Sequence, residues 1–235
     1  MTGKLYGLGI GPGDPELITV KALRLLKSCS VLAYPAPETG ESLARRIIAP
    51  HLDGHAPEEF AIRMPMVAAR FPAQEVYDEA AEVMAEHLEA GRDVAVLCEG
   101  DPFFYGSFMY LFGRMADRFP VEVVPGVSSL TACAAVLDAP LAARNDVLTV
   151  VPAPLENEDL AKRLETCEAA AIIKVGRHFA RIRGLLAELG LEGQARYVEH
   201  ATMADQKVLP LDAVGADAVP YFSMILLHKR GEAWR

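Results

Sequence analysis

The chain has 235 residues, of which 51% are hydrophobic, and 32 acidic against 23 basic side chains give a formal net charge of −9. That apolar content supplies one large or two small domains with a core and excludes general disorder. The acidic balance, with no Lys/Arg run longer than Arg45-Arg46 or Lys229-Arg230, argues against nucleic acid as a partner.

No window reaches the ~18 uninterrupted apolar residues of a membrane span. Met1 to Lys4 leads straight into a strand pattern, without a basic-then-apolar signal peptide. Cys29, Cys98, Cys133 and Cys167 are far apart and each lies in an apolar stretch. They read as reduced core cysteines of a cytoplasmic protein, and no cluster suits zinc.

In chain order, Lys4–Gly9 predicts a strand that enters a glycine loop. Leu17–Ser28 has helical apolar spacing, with Leu17, Val20 and Leu23 on one face. Ser30–Tyr34 is a short strand stopped by Pro35 and Pro37. A helix near Glu41–Ile48 ends before Pro50, and Phe60–Val67 reads as extended. Ala73–Ala90 is the longest helical pattern, with His87 on its solvent side and Gly91 as its C-terminal cap. Asp93–Cys98 predicts a strand, and a helix runs from Ser107 to about Asp117. Strand–helix alternation with short connections predicts a parallel α/β sheet for residues 1–118.

A second α/β domain is expected over residues 119–235, with the boundary placed at Phe119-Pro120. Strands are predicted at Val121–Val124, Val147–Val151, Ala170–Val175, Ala195–Glu199 and Phe222–Lys229. Helices are predicted at Ser128–Leu137, Leu155–Glu165 and Phe179–Leu189.

Three loops stand out for chemistry. The first, Gly7-Leu8-Gly9-Ile10-Gly11-Pro12-Gly13-Asp14-Pro15, follows a strand but fails the dinucleotide pattern GxGxxG. The sixth position is Pro12 or Asp14, so an N–H donor is missing or a carboxylate replaces it. The second, Cys98-Glu99-Gly100-Asp101-Pro102-Phe103-Phe104-Tyr105-Gly106-Ser107, pairs two carboxylates with aromatics. That set suits a cationic, partly aromatic ligand. Ser107 lacks the flanking glycines of a nucleophile elbow. The third is Val124-Pro125-Gly126-Val127-Ser128-Ser129. By themselves these loops leave open a bulged turn, an Asp-Pro turn with Asp101 as a cap, and hydroxyls that cap a helix. Gly100 reads as a point of close ligand approach. A valine there is expected to weaken binding with little change in ligand-free stability. His51 and His55 are four apart, but Pro50, Asp53 and Gly54 argue against the helix a metal pair would need.

Together the three loops resemble the tetrapyrrole methylase superfamily, and the likeness extends through Ile173-Lys174-Val175-Gly176, Glu199-His200-Ala201-Thr202 and Pro220-Tyr221-Phe222-Ser223. Within it, Gly11–Thr19, Cys98–Phe112 and Pro220–Ser223 look most like the branch that methylates precorrin-2 at carbon 20 in cobalamin synthesis. The resemblance implies a homodimer of two-domain subunits with S-adenosylmethionine in a trough between the domains. It implies cofactor contacts at Pro12, Gly100, Asp101, Phe104, Ser128, Ser129, Val175 and Ala201, with Tyr221–Ser223 as weaker candidates. Glu99 departs from the glycine or small residue of many relatives.

Methylation of an electron-rich ring carbon needs alignment and at most one base. Glu99 and Tyr105 are the candidate bases, beside solvent or a substrate carboxylate. Arg63, Arg45, Arg46, Arg144 and Arg177 are candidates for holding substrate carboxylates, with Arg63 foremost. A cobalt-containing precorrin stays open as the substrate. Low basicity argues against RNA as the methyl acceptor, and a non-catalytic tetrapyrrole-binding module would predict convergent histidines instead of glycine loops.

Overall fold

Runs such as Val94-Ala95-Val96-Leu97-Cys98 are apolar at every position, the pattern of a strand covered on both faces. The computed structural model describes residues 1–64, 74–215 and 219–230, and the chain divides into two units, Met1–Ser128 and Ser129–Arg235. In the first unit β1 (Leu5–Gly9), β2 (Val31–Pro37), β3 (Glu58–Met64), β4 (Val94–Cys98) and β5 (Val121–Val124) form one sheet in the order β3-β2-β4-β1-β5. Every neighbouring pair is parallel.

Helices α1 (Val20–Ser28) and α2 (Leu43–Ile48) pack on one face, and α3 (Gln74–Glu89) and α4 (Phe108–Met115) on the other. The two-residue period of β4 divides its side chains accordingly. Val94, Val96 and Cys98 join the α3/α4 core, and Ala95 and Leu97 join the α1/α2 core. Gly7 clears space for Phe108: a Cβ there would lie 2.4 Å from the Phe108 ring.

Several expectations shift. The single helix from Leu17 is replaced by a 3-10 turn at Pro15–Leu17 and by α1 from Val20. The reason is two successive caps: Asp14 accepts from the Glu16 N–H at 2.8 Å, and Thr19 accepts from the Ala22 N–H at 3.2 Å. Strand β2 continues through Pro35 and Pro37. Its ladder with β4 ends at Ala33, so the prolines, sharing one side of the strand, remove no bond there, and pairing with β3 carries on. His87 is 16% exposed in its side chain, not solvent-facing. It stacks on Phe60 and contacts Arg92 at 3.0 Å. Positions 65–67 of the expected extended stretch, and Ala73 of the helix, lie outside the described residues.

The boundary also moves. β5 pairs with β1 in the first sheet, so residues 119–128 belong to the first unit. The Phe119-Pro120 break is a turn inside it. Glu122 on β5 is bracketed by Lys4 and Lys21. Hydrogen bonds from Lys21 and Lys4 hold its carboxyl down at about 2. A carboxylate depressed in the folded state stabilises above its unfolded value, near 4.5, and that contribution is lost as pH falls towards 2. Glu122 is 28% exposed in its side chain, so the effect is modest. Glu122→Gln is expected to flatten the acid limb of the melting temperature over that interval; a limb identical to the parent's would contradict the assignment.

In the second unit β6 (Leu148–Pro152), β7 (Ala169–Ile173), β8 (Ala195–Glu199), β9 (Lys207–Leu209) and β10 (Ser223–His228) form a mixed sheet in the order β6-β7-β10-β8-β9. Only β6 and β7 pair in parallel. Helix α5 (Ser129–Val136) covers one face, and α6 (Asn157–Thr166) and α7 (Phe179–Glu188) cover the other.

All four cysteines are free and buried. Burial pushes the Cys29 and Cys133 thiols up to about 12. No helix among the described residues is long and apolar enough to cross a membrane.

Candidate active site

In the first unit the three motif loops leave the carboxyl ends of neighbouring strands β4, β1 and β5, where parallel α/β sheets receive ligands. Their main chains are knotted together. Ile10 donates to the Cys98 carbonyl at 3.0 Å, and Gly100 donates to the Gly11 carbonyl at 2.8 Å. A Cβ on Gly126 would lie 2.0 Å from the Gly100 oxygen and 2.7 Å from the Gly9 Cα. A Cβ on Gly9 would lie 2.4 Å from the Gly126 nitrogen. These glycines make room first for one another.

Asp101 completes the knot. Its Oδ1 accepts the N–H groups of Phe103 at 2.9 Å and Phe104 at 3.1 Å. Its Oδ2 accepts the Gly126 N–H at 3.0 Å. The fixed loop presents Phe103, Phe104 and Tyr105 at 48%, 36% and 47% exposure. Tyr105 itself has φ +56, a strained value for a side chain with a Cβ.

Glu99 does not simply face solvent. It is partly buried, and removal from water raises its carboxyl above the ordinary range, against the opposing pull of the Ala44 N–H in α2. His51 and His55 each hold a backbone carbonyl, of Pro15 at 2.9 Å and Cys29 at 3.0 Å. Among the described residues no group of three or more His, Cys, Asp or Glu is placed to hold a metal.

The later motif segments also converge, at one edge of the second sheet. Lys174–Gly176 follows β7, His200–Thr202 follows β8, and Pro220–Phe222 precedes the antiparallel β10. His200 donates to the Phe222 carbonyl at 2.8 Å, and Gly176 donates to Ser223 Oγ at 3.4 Å. Lys174, His200 and Thr202 have φ of +58, +46 and +69. With Tyr105, four non-glycine residues in left-handed backbone fall within the motif segments, a concentration found at functional sites.

A family model described as Tetrapyrrole (Corrin/Porphyrin) Methylases matches residues 4–214. The chain belongs to this family.

Among tetrapyrrole methylases it is 43% identical over 232 residues to the cobalamin biosynthesis protein CobIJ of Mycobacterium tuberculosis, covering 96% of this chain and 46% of that one. The chain thus spans about half the length of that relative. It is 42% identical to a precorrin-2 C(20)-methyltransferase of Sinorhizobium sp, covering 96% of this chain and 95% of the relative. Its fold matches a uroporphyrin-III C-methyl transferase of Thermus thermophilus, complexed with S-adenyl homocysteine, with a TM-score of 0.69, 26% identity and coverage of 97% and 98%.

Against this background, the residues expected to contact the cofactor divide into groups. Gly100 and Asp101 are brought together by their contacts with Gly9 and Gly126, which are not among those residues, and Pro12 is buried in the first loop. Phe104 is open to a ligand. Ser128 ends the first unit and Ser129 opens α5. Val175 and Ala201 have buried side chains, so they offer a ligand only main chain. Gly100 has φ +65, so a valine there strains the backbone with or without ligand. The expectation of unchanged stability is therefore corrected.

The arginines do not form one cluster. Arg63 lies at the carboxyl end of β3, on the same sheet edge as the loops, and donates to the Pro37 carbonyl at 3.0 Å. Arg45 is committed to Glu59 at 2.6 Å. Arg46, Arg144 and Arg177 are exposed on α2, on the loop after α5 and on the 3-10 turn after β7. The left-handed residues of the second sheet edge escaped the sequence reading, since Lys, His and Thr carry no glycine-like signal.

Proposed function

We propose that the chain transfers the methyl group of S-adenosylmethionine to carbon 20 of precorrin-2, giving precorrin-3A in cobalamin biosynthesis. The observation that carries the reading is the knot of loops at the ends of β4, β1 and β5, in a chain that aligns over 96% of its length with a precorrin-2 C(20)-methyltransferase. The residues fit the cofactor: the first loop carries Pro12 or Asp14 where a dinucleotide phosphate loop has its last glycine, and exposed Phe104 offers a flat apolar surface. S-adenosylmethionine, when bound, supplies a sulfonium methyl.

In this proposal Pro12, Gly100, Asp101, Phe104 and Ser128 in the first unit, and Ser129, Val175 and Ala201 in the second, make the cofactor contacts. Asp101 acts by fixing the loop, and Val175 and Ala201 act through main chain. The ring carbon gives up a proton after methylation, and Glu99 is its acceptor. A carboxyl held above the ordinary range is a better base than an exposed one; Tyr105 is the second candidate. Arg63 pairs with substrate carboxylates. A homodimer in the cytoplasm belongs to the same proposal and rests on the family resemblance.

The test mixes the chain with precorrin-2 and S-adenosylmethionine carrying a labelled methyl. One added methyl located by NMR at carbon 20 is expected; a methyl at another ring position, or none, would sink the reading. Cobalt-precorrin-2 in a parallel arm decides between metal-free and cobalt-containing substrates. In the same assay Glu99→Gln is expected to lower kcat by roughly a hundredfold and to remove the acid limb of the pH–rate profile. A preserved limb transfers the role to Tyr105 or to solvent.

A further inference from the structure

Tyr197, Glu199 and Ser223 form a polar group within the otherwise apolar α6/α7 face of the second sheet. Tyr197 and Glu199 are two apart on β8 and share a face, and Ser223 on β10 is registered opposite Glu199. Their exposures are 0%, 6% and 6%. The Tyr197 hydroxyl donates to Glu199 Oε1 at 2.7 Å. Lys207, opposite Glu199 on β9, approaches Oε2 at 3.6 Å. Ser223 Oγ donates to the Pro220 carbonyl at 2.9 Å and accepts the Gly176 N–H at 3.4 Å, on the sheet face it shares with its registered neighbour Glu199.

Burying a carboxylate and two hydroxyls has a desolvation cost that apolar side chains of similar volume would avoid. Packing therefore gives no reason for this group. Its contacts do: they join the turn after β7, the end of β8 and the segment before β10. These are the three segments that gather at the candidate edge, where Lys174, His200 and Thr202 hold left-handed backbone. Since Val175 and Ala201 turn their side chains into the core, the edge presents main chain at those two positions, and that main chain must be held from beneath.

We propose that Tyr197, Glu199 and Ser223 act as one positioning unit, fixing the main chain at Gly176 and Pro220–Phe222 for S-adenosylmethionine. The inference rests on the reading that this edge contacts the cofactor. It assigns Tyr197, Glu199 and Ser223 an effect on cofactor affinity exerted through the main chain they hold.

The experiment titrates S-adenosylhomocysteine calorimetrically into the parent, Tyr197→Phe, Ser223→Ala, the double variant and Ser223→Thr, with ligand-free melting alongside. Each of the first two variants is expected to bind about tenfold more weakly. The double variant should lose little beyond the weaker single, because both break one unit. KM for S-adenosylmethionine should rise in step while kcat holds within about threefold, and Ser223→Thr, which keeps the hydroxyl, should bind nearly as the parent does. Variants that melt lower but bind like the parent would overturn the positioning role alone. A parent that binds no S-adenosylhomocysteine would overturn the cofactor reading and this inference with it. Ser223→Ala removes a single oxygen and is decisive by itself where Tyr197→Phe does not fold.

Discussion

Gly126→Ala is expected to lower the melting temperature by about 6 °C or more and to abolish measurable S-adenosylhomocysteine binding. The added Cβ would stand 2.0 Å from the Gly100 carbonyl oxygen and 2.7 Å from the Gly9 Cα. Both are main-chain atoms at the ends of central strands β4 and β1, so neither yields as a flexible side chain would. An overpacked core methyl typically costs about 1–3 kcal/mol, and here the whole cost falls on backbone. At about 2–4 °C per kcal/mol for a chain of this size, the upper end of that range gives the stated shift. Scanning calorimetry measures it. Gly184→Ala serves as the control, since nothing lies within 4 Å of its Cβ on α7. A Gly126→Ala protein that melts within a degree or two of the parent would show that the knot can open without penalty.

Asp101→Ala should weaken S-adenosylhomocysteine binding by roughly a hundredfold while lowering the melting temperature by only about 2–4 °C. The carboxylate accepts three backbone N–H groups, from Phe103, Phe104 and Gly126. In the truncated protein these donors lie in a loop that water can reach, which limits the loss of stability. The loop's shape is lost, however, and with it the placement of Phe104. Asp101→Asn keeps one acceptor oxygen but points an amide N–H at another N–H, so an intermediate loss near tenfold is expected. Calorimetric titration reads both. Parent-like binding by Asp101→Ala would remove the second loop from the cofactor site.

Much of this was legible in the sequence because it is local. The apolar runs of β1, β4 and β7 are visible as strings, and the three loops announce themselves by Gly, Pro and Asp at strand ends. What was not legible depends on partners distant along the chain. Gly9, Gly100 and Gly126 read from the sequence as turn residues or as points of close ligand approach, yet the crowding that demands glycine is shared among all three. The Phe119-Pro120 break looks like a linker because nothing near it reveals that Val121–Val124 pairs with β1. His87 reads as solvent-facing until Phe60, from a neighbouring strand, covers it. Arg45 reads as a free cation until Glu59 on β3 meets it. β9 has three residues, too few for a period to show.

The pairing of β5 with β1 bears on how the first half could be expressed alone. A fragment cut at residue 118 would lack β5 and leave the outer side of β1 bare. The open hydrogen-bonding row of a strand carrying fully buried Leu5 and Leu8 is a template for intermolecular pairing and aggregation. A fragment ending at Ser128 keeps that row covered. Its new border is β5, where Glu122, flanked by Lys4 and Lys21, places charge on the strand most exposed to a neighbouring molecule.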